Sequence, residues 1–420
     1  MVSRAELIRS LDRQERLLAA SVVLTPVDSF PVGLLDRHST AFLHGLYTTD
    51  KVRNRQAKIE TVVQFGRRDR SARDLDAIYR LFAEKLSASV GSLRLLSGLH
   101  AHAATFMSIG NIGDSILLLP ELGGGHFNTR AIMERLGFRV FDLPVDCDNC
   151  CVDRDASMTL IDAVRPDFVF VDRSEGLRYE DFSFLGNLRG MTKVFDASHY
   201  LPQIIERRYR NPLDWGFDLM LFSLHKSFPG PQKAGIVARE DGELWRRLMS
   251  GLSTLVSSSH AENSYLAGLT LLEEDFLHQY VDRVLGTALS LEYYLHDAGV
   301  PVFLRGNGGN ADWPPTHHVW IMAPDQDAAY SYFDALNRVR IHVNYRKLPY
   351  DLGYGLRLGT TFSAVAGLEE RHMATLARII SAAISDKNPI GLRHEVRELA
   401  ESALEGALLP EHSRESDERR

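Results

Sequence analysis

Short apolar runs alternate with stretches of helical periodicity through the middle of the chain, and this alternation limits the folds that the chain can adopt. The run Phe168–Val171 has the length of a buried strand, and Ser157–Val164 before it has apolar residues at helical spacing. Strands and helices that alternate in this way form a mostly parallel sheet with helices on both faces. We therefore predict an α/β fold with strands at Ser115–Leu119, Val140–Leu143, Phe168–Val171, Lys193–Phe195, Leu219–Phe222 and Ala234–Val237.

The two ends of the chain differ in character from this central part. The length of 420 residues and the apolar content of 45% are sufficient for more than one core. We predict an N-terminal helical arm (1–50), a large α/β domain (51–283), a small C-terminal α+β domain (284–387) and a charged, partly disordered tail (388–420). Helices are predicted over Asp74–Val90, Ala261–Ala298, Asp325–Val339 and Leu368–Ser385, and further strands over Thr316–Met322, Ile341–Asn344 and Gly355–Gly359.

Composition excludes several classes of partner. The net charge is −7 with acidic and basic residues interspersed, so we expect no nucleic-acid partner. Apolar runs are too short to span a bilayer, and the charged N-terminus lacks the apolar core of a signal peptide, so we expect a cytoplasmic protein without a membrane partner. The three cysteines, Cys147, Cys150 and Cys151, share one polar turn without a second ligand pair, so we predict ordinary thiols and no metal.

Lys226 follows one of the predicted strands and precedes a turn rich in proline and glycine. The segment reads Ser223-Leu224-His225-Lys226, with Pro229-Gly230-Pro231 after it. Ligands of α/β proteins bind at the carboxyl ends of the strands, and partial burial favours the neutral amine that Schiff-base chemistry needs. Asp196 follows a second strand thirty residues earlier, in Phe195-Asp196-Ala197-Ser198-His199. A lysine for the aldehyde and an aspartate for the pyridinium nitrogen are what pyridoxal phosphate (PLP) requires.

Three other segments predict further contacts with such a cofactor. Ser97-Gly98-Leu99 precedes a helix start, which suits a phosphate, although a plain helix cap is the alternative. Gly123-Gly124-Gly125-His126 lets the backbone approach a ligand closely and places an imidazole where it can stack on a ring; a flexible loop is the alternative. Ser174 follows the strand Phe168–Val171 and can bond the ring oxygen.

Arg357 lies between two glycines in Gly355-Leu356-Arg357-Leu358-Gly359-Thr360, within the small domain. An amino-acid substrate needs its carboxylate held, and a guanidinium group does so with two parallel hydrogen bonds. A surface ion pair is the alternative. We predict that Arg357 binds the substrate carboxylate.

Taken in order, these segments resemble the serine hydroxymethyltransferase-like branch of the fold-type-I (aspartate aminotransferase-like) PLP-dependent enzymes over roughly residues 20–385. The resemblance implies the fold, the PLP cofactor and a homodimer with shared active sites. It implies that Lys226 forms the Schiff base, that Asp196 pairs with the pyridinium and that His126 stacks on the ring. The implied catalytic residues are Lys226, His126, His199, His225 and Tyr47; the cofactor-binding residues are Lys226, Asp196, His199, His126, Ser97, Gly98, Leu99, Ser174, Ser223 and His225; and the substrate-binding residues are Arg357, Tyr47 and Ser174.

The chain departs from this family on the substrate side. Tyr47-Thr48-Thr49-Asp50 is the nearest match to a Tyr-x-Glu-Gly-Tyr segment, so Thr49 stands where the family has the glutamate used with serine and folate. Leu99 replaces a serine of the phosphate turn, and Ser257–His260 replaces part of a glycine-rich loop that reaches the neighbouring subunit's cofactor. The residues expected to bind the cofactor (the cofactor half of the site) are retained, whereas those used with substrate and folate are replaced.

These departures direct the prediction of the reaction. Enzymes of this kind break one bond at Cα, which gives a lyase, a decarboxylase or an aldolase. The chain is similar in this respect to antibiotic-pathway members without the folate apparatus, the lincosamide tailoring enzymes. We therefore expect β-elimination or decarboxylation-dependent deamination of an S-conjugated amino acid in natural-product biosynthesis. The alternatives are a serine hydroxymethyltransferase, a threonine aldolase or transaldolase and, more distantly, a non-catalytic scaffold.

Overall fold

A computed structural model describes residues 3–35, 41–61, 66, 69–307, 311–386 and 389–408. These residues form two compact units. The larger unit takes its residues from 31–175 and 180–277, and the smaller unit from 3–30, 176–179 and 278–408. The N-terminal arm up to Phe30 therefore belongs to the same unit as the C-terminal part of the chain, a grouping that the predicted linear domain order did not contain.

A seven-stranded sheet forms the centre of the larger unit. Five neighbouring strands run parallel and follow the spatial order Arg139–Asp142, Ser115–Leu118, Phe168–Val171, Thr192–Asp196 and Leu219–Ser223. Strand Ala234–Ala238 is antiparallel both to Leu219–Ser223 and to the edge strand Val90–Leu95. The prediction of an α/β fold with a mostly parallel sheet is confirmed.

The edge strand Val90–Leu95 was not predicted, because two polar residues break its apolar pattern. Ser92 and Arg94 are both buried in it. The helix expected to run to Val90 instead spans Asp69–Lys85, and Ser87 then adopts a left-handed conformation with φ of 51° that turns the chain.

The core of the larger unit lies between the sheet and its helices. All four residues of Phe168–Val171 are buried, as expected for a parallel strand covered on both faces. Phe106 from one helix and Leu248 from another pack in one cluster with Phe168 and Ile116. The helices are Ala41–His44, Arg55–Glu60, Asp69–Lys85, Gly98–Ile109, Thr129–Arg135, Arg154–Val164, Ser183–Gly186, Leu201–Ile205, Pro212–Trp215, Glu243–Leu255 and Ala261–Leu272, with 3-10 turns at Val32–Leu35 and Glu121–Gly123 and a hairpin of Val145–Asp146 with Cys151–Val152.

The smaller unit contains a three-stranded antiparallel sheet with the order His318–Met322, Tyr354–Gly359, Asn344–Lys347. A second, two-stranded pairing joins Val22–Val23 from the N-terminal arm to Ile341–His342 in parallel. Val22, Leu24, Ile321 and Leu358 share the core of this unit. Its helices are Arg4–Ala19, most of Glu274–Asp297, Gln326–Arg338, Thr361–Val365, Glu370–Ser385 and Arg393–Leu404, with 3-10 turns at Arg305–Asn307 and Pro389–Leu392.

Two predicted segments differ from the structure. The single helix expected over Ala261–Ala298 is two helices, which meet at Glu273. Within the predicted charged tail, Arg393–Leu404 is a helix, and Val396 and Leu399 from it are buried in the core of the smaller unit. Residues 388 and 409–420 of that tail lie outside the described residues. Among the helices that the structure describes, none is both long and apolar enough to cross a membrane.

Candidate active site

The N-terminus of helix Gly98–Ile109 lies beside Lys226. Ser97 precedes the helix, and its side chain makes no capping hydrogen bond. Gly98 is buried, and a β-carbon added there would lie 3.8 Å from Nζ of Lys226 and 4.0 Å from Cβ of Ser223. The first N–H groups of a helix and its dipole favour an anion. The structure thus brings the predicted phosphate cradle, the lysine and Ser223 together.

Ser223 supplies a hydroxyl that the protein leaves unsatisfied. It ends strand Leu219–Ser223, and its backbone N–H donates to Oγ of Ser198 at 2.9 Å. Its own Oγ is buried and has no hydrogen-bond partner among the residues that the structure describes. A buried polar group without a partner costs about 1–3 kcal/mol, so a ligand oxygen here would be stabilising. This orphaned hydroxyl beside a helix start fits a phosphate group.

Lys226 lies in a turn that several hydrogen bonds hold in place. Oγ of Ser227 donates to the carbonyl of Ser198 at 2.9 Å, and the N–H of Leu224 donates to the carbonyl of Lys233 at 2.8 Å. Burial and, next, the charge of Lys226 lower the pKa of His225. His225 is therefore a neutral imidazole at neutral pH, directly beside the lysine.

Asp196 ends the strand next to that of Ser223 and is held as an anion. Its Oδ1 accepts the backbone N–H of Ser198 at 2.7 Å, and its Oδ2 lies 2.6 Å from Nε2 of His102. Burial opposes ionisation, but the hydrogen bond and charge of His102, together with Lys226 and Ser198, lower the pKa of Asp196 to about 2. A buried carboxylate that stays ionised is a suitable partner for a protonated ring nitrogen.

The sequence pattern did not point to His102, although it is the closest partner of Asp196. His102 is buried in the helix Gly98–Ile109, one turn beyond Gly98, and its ring meets Phe170 edge-on at 4.8 Å. Its other nitrogen, Nδ1, lies 3.3 Å from Oγ1 of Thr129. The sequence does contain one signal for His102: it follows Gly98 of the predicted phosphate cradle by four residues, and residues four apart lie on one face of a helix.

His126 lies at the same end of the sheet. Its ring centroid is 6.4 Å from that of His102, with the planes perpendicular, and its ring stacks on Phe127 at 4.7 Å. The preceding glycines are required here: Gly124 has φ of 86°, and a β-carbon on Gly125 would lie 2.1 Å from the carbonyl oxygen of Leu119. The glycines therefore let this loop pack against the sheet and present His126 beside the residues that hold Asp196.

Ser174 and His199 are also buried near strand ends. Backbone N–H and Oγ of Ser174 donate to the carbonyl of Gly124 at 2.9 Å and 3.4 Å, so Ser174 supports the glycine loop. His199 follows Asp196 by three residues, and its ring lies 6.4 Å from that of Tyr200. The predicted contacts of both residues with a cofactor remain predictions.

The segment around Tyr47 is hydrogen-bonded to the segment around Ser257–His260, which replaces part of the glycine-rich loop. The N–H of Thr48 donates to Oγ of Ser258 at 3.4 Å, and its carbonyl accepts the N–H of Ser259 at 3.0 Å. Its hydroxyl accepts the N–H of Ala261 at 3.3 Å. Tyr47 and Ser257–His260, both predicted to serve the neighbouring subunit, are therefore tied to each other through Thr48.

Asp50 is the one carboxylate of the segment Tyr47–Asp50, and it is engaged by an arginine. Nε and Nη2 of Arg94 donate to its two oxygens at 3.0 Å and 2.5 Å, and both side chains are buried. Nη1 of Arg94 donates to Ser253 at 3.2 Å. Both carboxylate oxygens of Asp50, the residue after Thr49, are thus engaged by one guanidinium group.

Arg357 belongs to the smaller unit, where it is buried in strand Tyr354–Gly359. It pairs across the sheet with Trp320 on one side and Asn344 on the other, and its Nε donates to Oδ1 of Asn344 at 3.1 Å. Burial, followed by the charges of Arg357 and Arg305, lowers the pKa of His317 to about 3. Arg357 thus acts as a positive charge on His317, and a guanidinium group favours an anionic ligand such as a carboxylate.

Comparisons with known proteins show which proteins this chain is similar to. No protein-family model matches the chain. The serine hydroxymethyltransferase of Pyrobaculum arsenaticum is 28% identical over 341 residues, which cover 79% of this chain and 78% of the relative. An L-threonine:uridine-5'-aldehyde transaldolase from a Streptomyces species is 30% identical over 320 residues, 74% of each chain. A crystal structure of an L-threonine transaldolase from Pseudomonas fluorescens, in the internal aldimine state, matches with a TM-score of 0.88 at 22% identity, covering 98% of this chain and 94% of that one.

Proposed function

Because the chain belongs to the serine hydroxymethyltransferase-like family of fold-type-I, PLP-dependent enzymes, we propose that it breaks the Cα–Cβ bond of a β-hydroxy amino acid and joins the resulting glycine carbon to an aldehyde. The 30% identical relative, described as a threonine:aldehyde transaldolase, supports this class of reaction. Among the predicted outcomes, Cα–Cβ cleavage was the alternative to β-elimination and decarboxylation, and we now place it first.

The observation that carries the proposal is the pairing of Asp50 with Arg94. Folate-dependent transfer from serine uses the family's glutamate, and here Thr49 occupies that position. Asp50, next to Thr49, is also a carboxylate, but both of its oxygens already accept hydrogen bonds from a buried arginine. A transaldol reaction needs no folate, which makes it compatible with this substitution.

The residues of the cofactor half have separate tasks. PLP, when bound, takes up the electron pair that remains on Cα after a bond to it breaks. Ser97, Gly98, Leu99 and Ser223 would hold its phosphate, Lys226 its aldehyde carbon and Asp196 its ring nitrogen. His126 would lie against the ring face. These assignments rest on the shared position of the groups at one end of the sheet.

The reaction also needs a group that moves one proton. As the Cα–Cβ bond breaks, the β-hydroxyl loses its proton and becomes a carbonyl; when the acceptor aldehyde adds, its oxygen gains a proton. A base that is neutral at neutral pH can do both. His225 has this property, since burial and Lys226 lower its pKa, and His126 and His199 are the other candidates. Arg357 would hold the substrate carboxylate.

A second candidate is the reaction first expected from the sequence, β-elimination or decarboxylation-dependent deamination of an S-conjugated amino acid in natural-product biosynthesis. The same observation favours it. Loss of a thiolate from Cβ requires a base at Cα but no carboxylate near the β-substituent, so Asp50, paired with Arg94, is compatible with this chemistry too.

We further propose that the enzyme is a homodimer in which Tyr47 and Ser257–His260 serve the neighbouring active site. Phe42 and Leu46, which precede Tyr47, are 70% and 51% exposed in the single chain. Exposed large apolar residues next to a functional segment are typical of surfaces that another protein covers.

Substrate profiling of the purified, PLP-loaded protein tests the proposal. We expect threonine with an aromatic or sugar-type aldehyde to give acetaldehyde and a new β-hydroxy amino acid. Serine with tetrahydrofolate and S-alkyl cysteines are assayed in parallel, and Lys226→Ala is the inactive control. Release of thiol and pyruvate from S-alkyl cysteine, without acetaldehyde from threonine, would favour the second candidate. Turnover of serine and tetrahydrofolate at about 1 per second or faster would overturn both.

A further inference from the structure

Two carboxylates lie side by side at the ends of neighbouring parallel strands. Val171 pairs with Phe195 in the sheet register, so Asp172 and Asp196, the next residues, follow at the same level. Both side chains are buried. Two buried like charges in such proximity favour a proton on one of them. Asp196 is predicted to pair with the ring nitrogen, whereas Asp172 has no predicted role.

A continuous chain of hydrogen bonds connects the two carboxylates. Oδ2 of Asp172 and Oγ1 of Thr129 are joined by a short hydrogen bond. Oγ1 of Thr129 lies 3.3 Å from Nδ1 of His102, and Nε2 of His102 lies 2.6 Å from Oδ2 of Asp196. Each of the four residues is buried, and they come from two strand ends and two helices.

We propose that Asp172, Thr129 and His102 form a buried proton relay that keeps Asp196 ionised for the ring nitrogen of PLP. These three are positioning residues, because they act on the cofactor through Asp196. Their role concerns the cofactor half of the site and does not depend on which bond at Cα is broken.

The relay has two arrangements with the same number of protons. In the predominant one, Asp172 is a carboxylic acid that donates to Oγ1 of Thr129, and Thr129 donates to Nδ1 of His102. In the other, the proton of Asp172 passes to Thr129 while the hydroxyl proton of Thr129 passes to Nδ1, which gives a carboxylate and an imidazolium. His102 donates its Nε2–H to Asp196 in both, so Asp196 stays an anion throughout.

The surroundings of Asp172 are consistent with a carboxyl that holds a proton near neutral pH. Burial is the largest effect and raises the pKa of Asp172 to about 7. The charge of Asp196 on the neighbouring strand raises it further, whereas His102 and Thr129 on the two helices and the backbone N–H of His126 in the glycine loop oppose the rise. Arg173, next in the chain, is engaged by the buried carboxylate of Glu180.

Infrared difference spectra of the full-length protein without PLP would detect the stored proton. Incorporation of aspartate labelled with ¹³C at the side-chain carboxyl shifts the aspartate bands and so distinguishes them from the band of Glu180, whose pKa burial also raises. We expect an aspartic-acid C=O band at pH 6 that disappears as the pH rises to 8.5. Asp172→Asn should remove it. Thr129→Val should shift it, because the hydroxyl is lost, whereas Thr129→Ser should restore the wild-type band.

A second readout ties the relay to the cofactor. We expect Thr129→Val to weaken PLP binding about tenfold, equivalent to about 1.4 kcal/mol, and Thr129→Ser to retain wild-type affinity. Circular dichroism verifies the fold of each variant. Absence of an aspartic-acid band at pH 6 in the wild type, which requires no variant, would overturn the proposal. The proposal would also be overturned if Thr129→Val and Thr129→Ser showed the same aspartic-acid band and the same PLP affinity.

Discussion

Gly98 faces Lys226 so closely that a β-carbon on the glycine would lie 3.8 Å from Nζ of the lysine. That distance is an ordinary van der Waals contact, and Gly98 is at the first position of its helix without a left-handed conformation. An alanine is therefore compatible with the fold, but its methyl group would occupy space at the phosphate cradle.

We predict that Gly98→Ala weakens PLP binding about tenfold, or about 1.4 kcal/mol. Stability should be unchanged or slightly higher, because alanine restricts the unfolded chain. PLP titration of the cofactor-free protein and thermal unfolding measure the two effects. Gly242→Ala is the control at another helix start: Gly242 is the residue before helix Glu243–Leu255, and a β-carbon there meets nothing within 4 Å. Equal PLP affinity in both variants would contradict the cradle.

Asp172 should make the stability of the fold depend on pH in a defined direction. Its pKa in the fold is about 7, above the ordinary value of about 3.9 for an aspartate. Between these values the folded protein binds a proton that the unfolded chain has lost. Stability therefore falls as the pH rises through this range, and the full penalty is present above pH 7.

Asp172→Asn removes this penalty. We therefore predict that the effect of Asp172→Asn on the free energy of unfolding is more stabilising at pH 8.5 than at pH 5. The expected difference is at least about 1.4 kcal/mol, the equivalent of one pKa unit. Urea unfolding midpoints of the cofactor-free protein at the two pH values measure the difference. Asp148→Asn, at an exposed carboxylate, is the control and should show no such pH dependence. A constant effect of Asp172→Asn at both pH values would show that Asp172 is ionised throughout.

The buried pair of Arg94 and Asp50 predicts a large cost when only one partner is removed. Arg94→Met leaves an uncompensated carboxylate, and breaking a buried pair in this way typically costs about 3–5 kcal/mol. Replacement of both partners, Asp50→Leu with Arg94→Met, should recover most of that loss because no unpaired charge remains. Thermal unfolding of the two single variants and the double variant measures the coupling. Additive losses would show that the two side chains act independently.

The parallel strands and the residues directly after them could be predicted from the sequence, because buried parallel strands are continuous apolar runs. Asp196 and Lys226 were found in this way. The edge strand Val90–Leu95 was not, since Arg94 is buried there only through its pairing with Asp50, a residue more than forty positions earlier.

The relay behind Asp196 could not be predicted for a related reason. His102, Thr129 and Asp172 come from three separate elements, and each alone is a common polar residue. Only the register that pairs Val171 with Phe195 brings Asp172 level with Asp196, and register is a property of the folded sheet. In the same way, the pairing of Val22–Val23 with Ile341–His342 joins distant parts of the chain.

The hydrogen bonds of Thr48 with Ser258 and Ser259 lead to a prediction about the dimer. If Tyr47 serves the neighbouring active site, a subunit with Tyr47→Phe retains Lys226 and a subunit with Lys226→Ala retains Tyr47. Each variant alone should be inactive or nearly so. In a mixed dimer, one of the two sites would receive both intact residues, whereas the other would receive neither.

Random exchange of equal amounts of the two variants should therefore restore about one quarter of the wild-type activity, as the two-fold symmetry of a dimer requires. Threonine-dependent acetaldehyde release measures it, and a mixture of Lys226→Ala with itself is the control. Subunit exchange is verified with differently tagged chains. Because Thr48→Val removes the hydroxyl that accepts the N–H of Ala261, the same mixture carrying this change should recover less activity. Activity that stays at the level of the single variants after verified exchange would place Tyr47 and Lys226 in the site of one subunit.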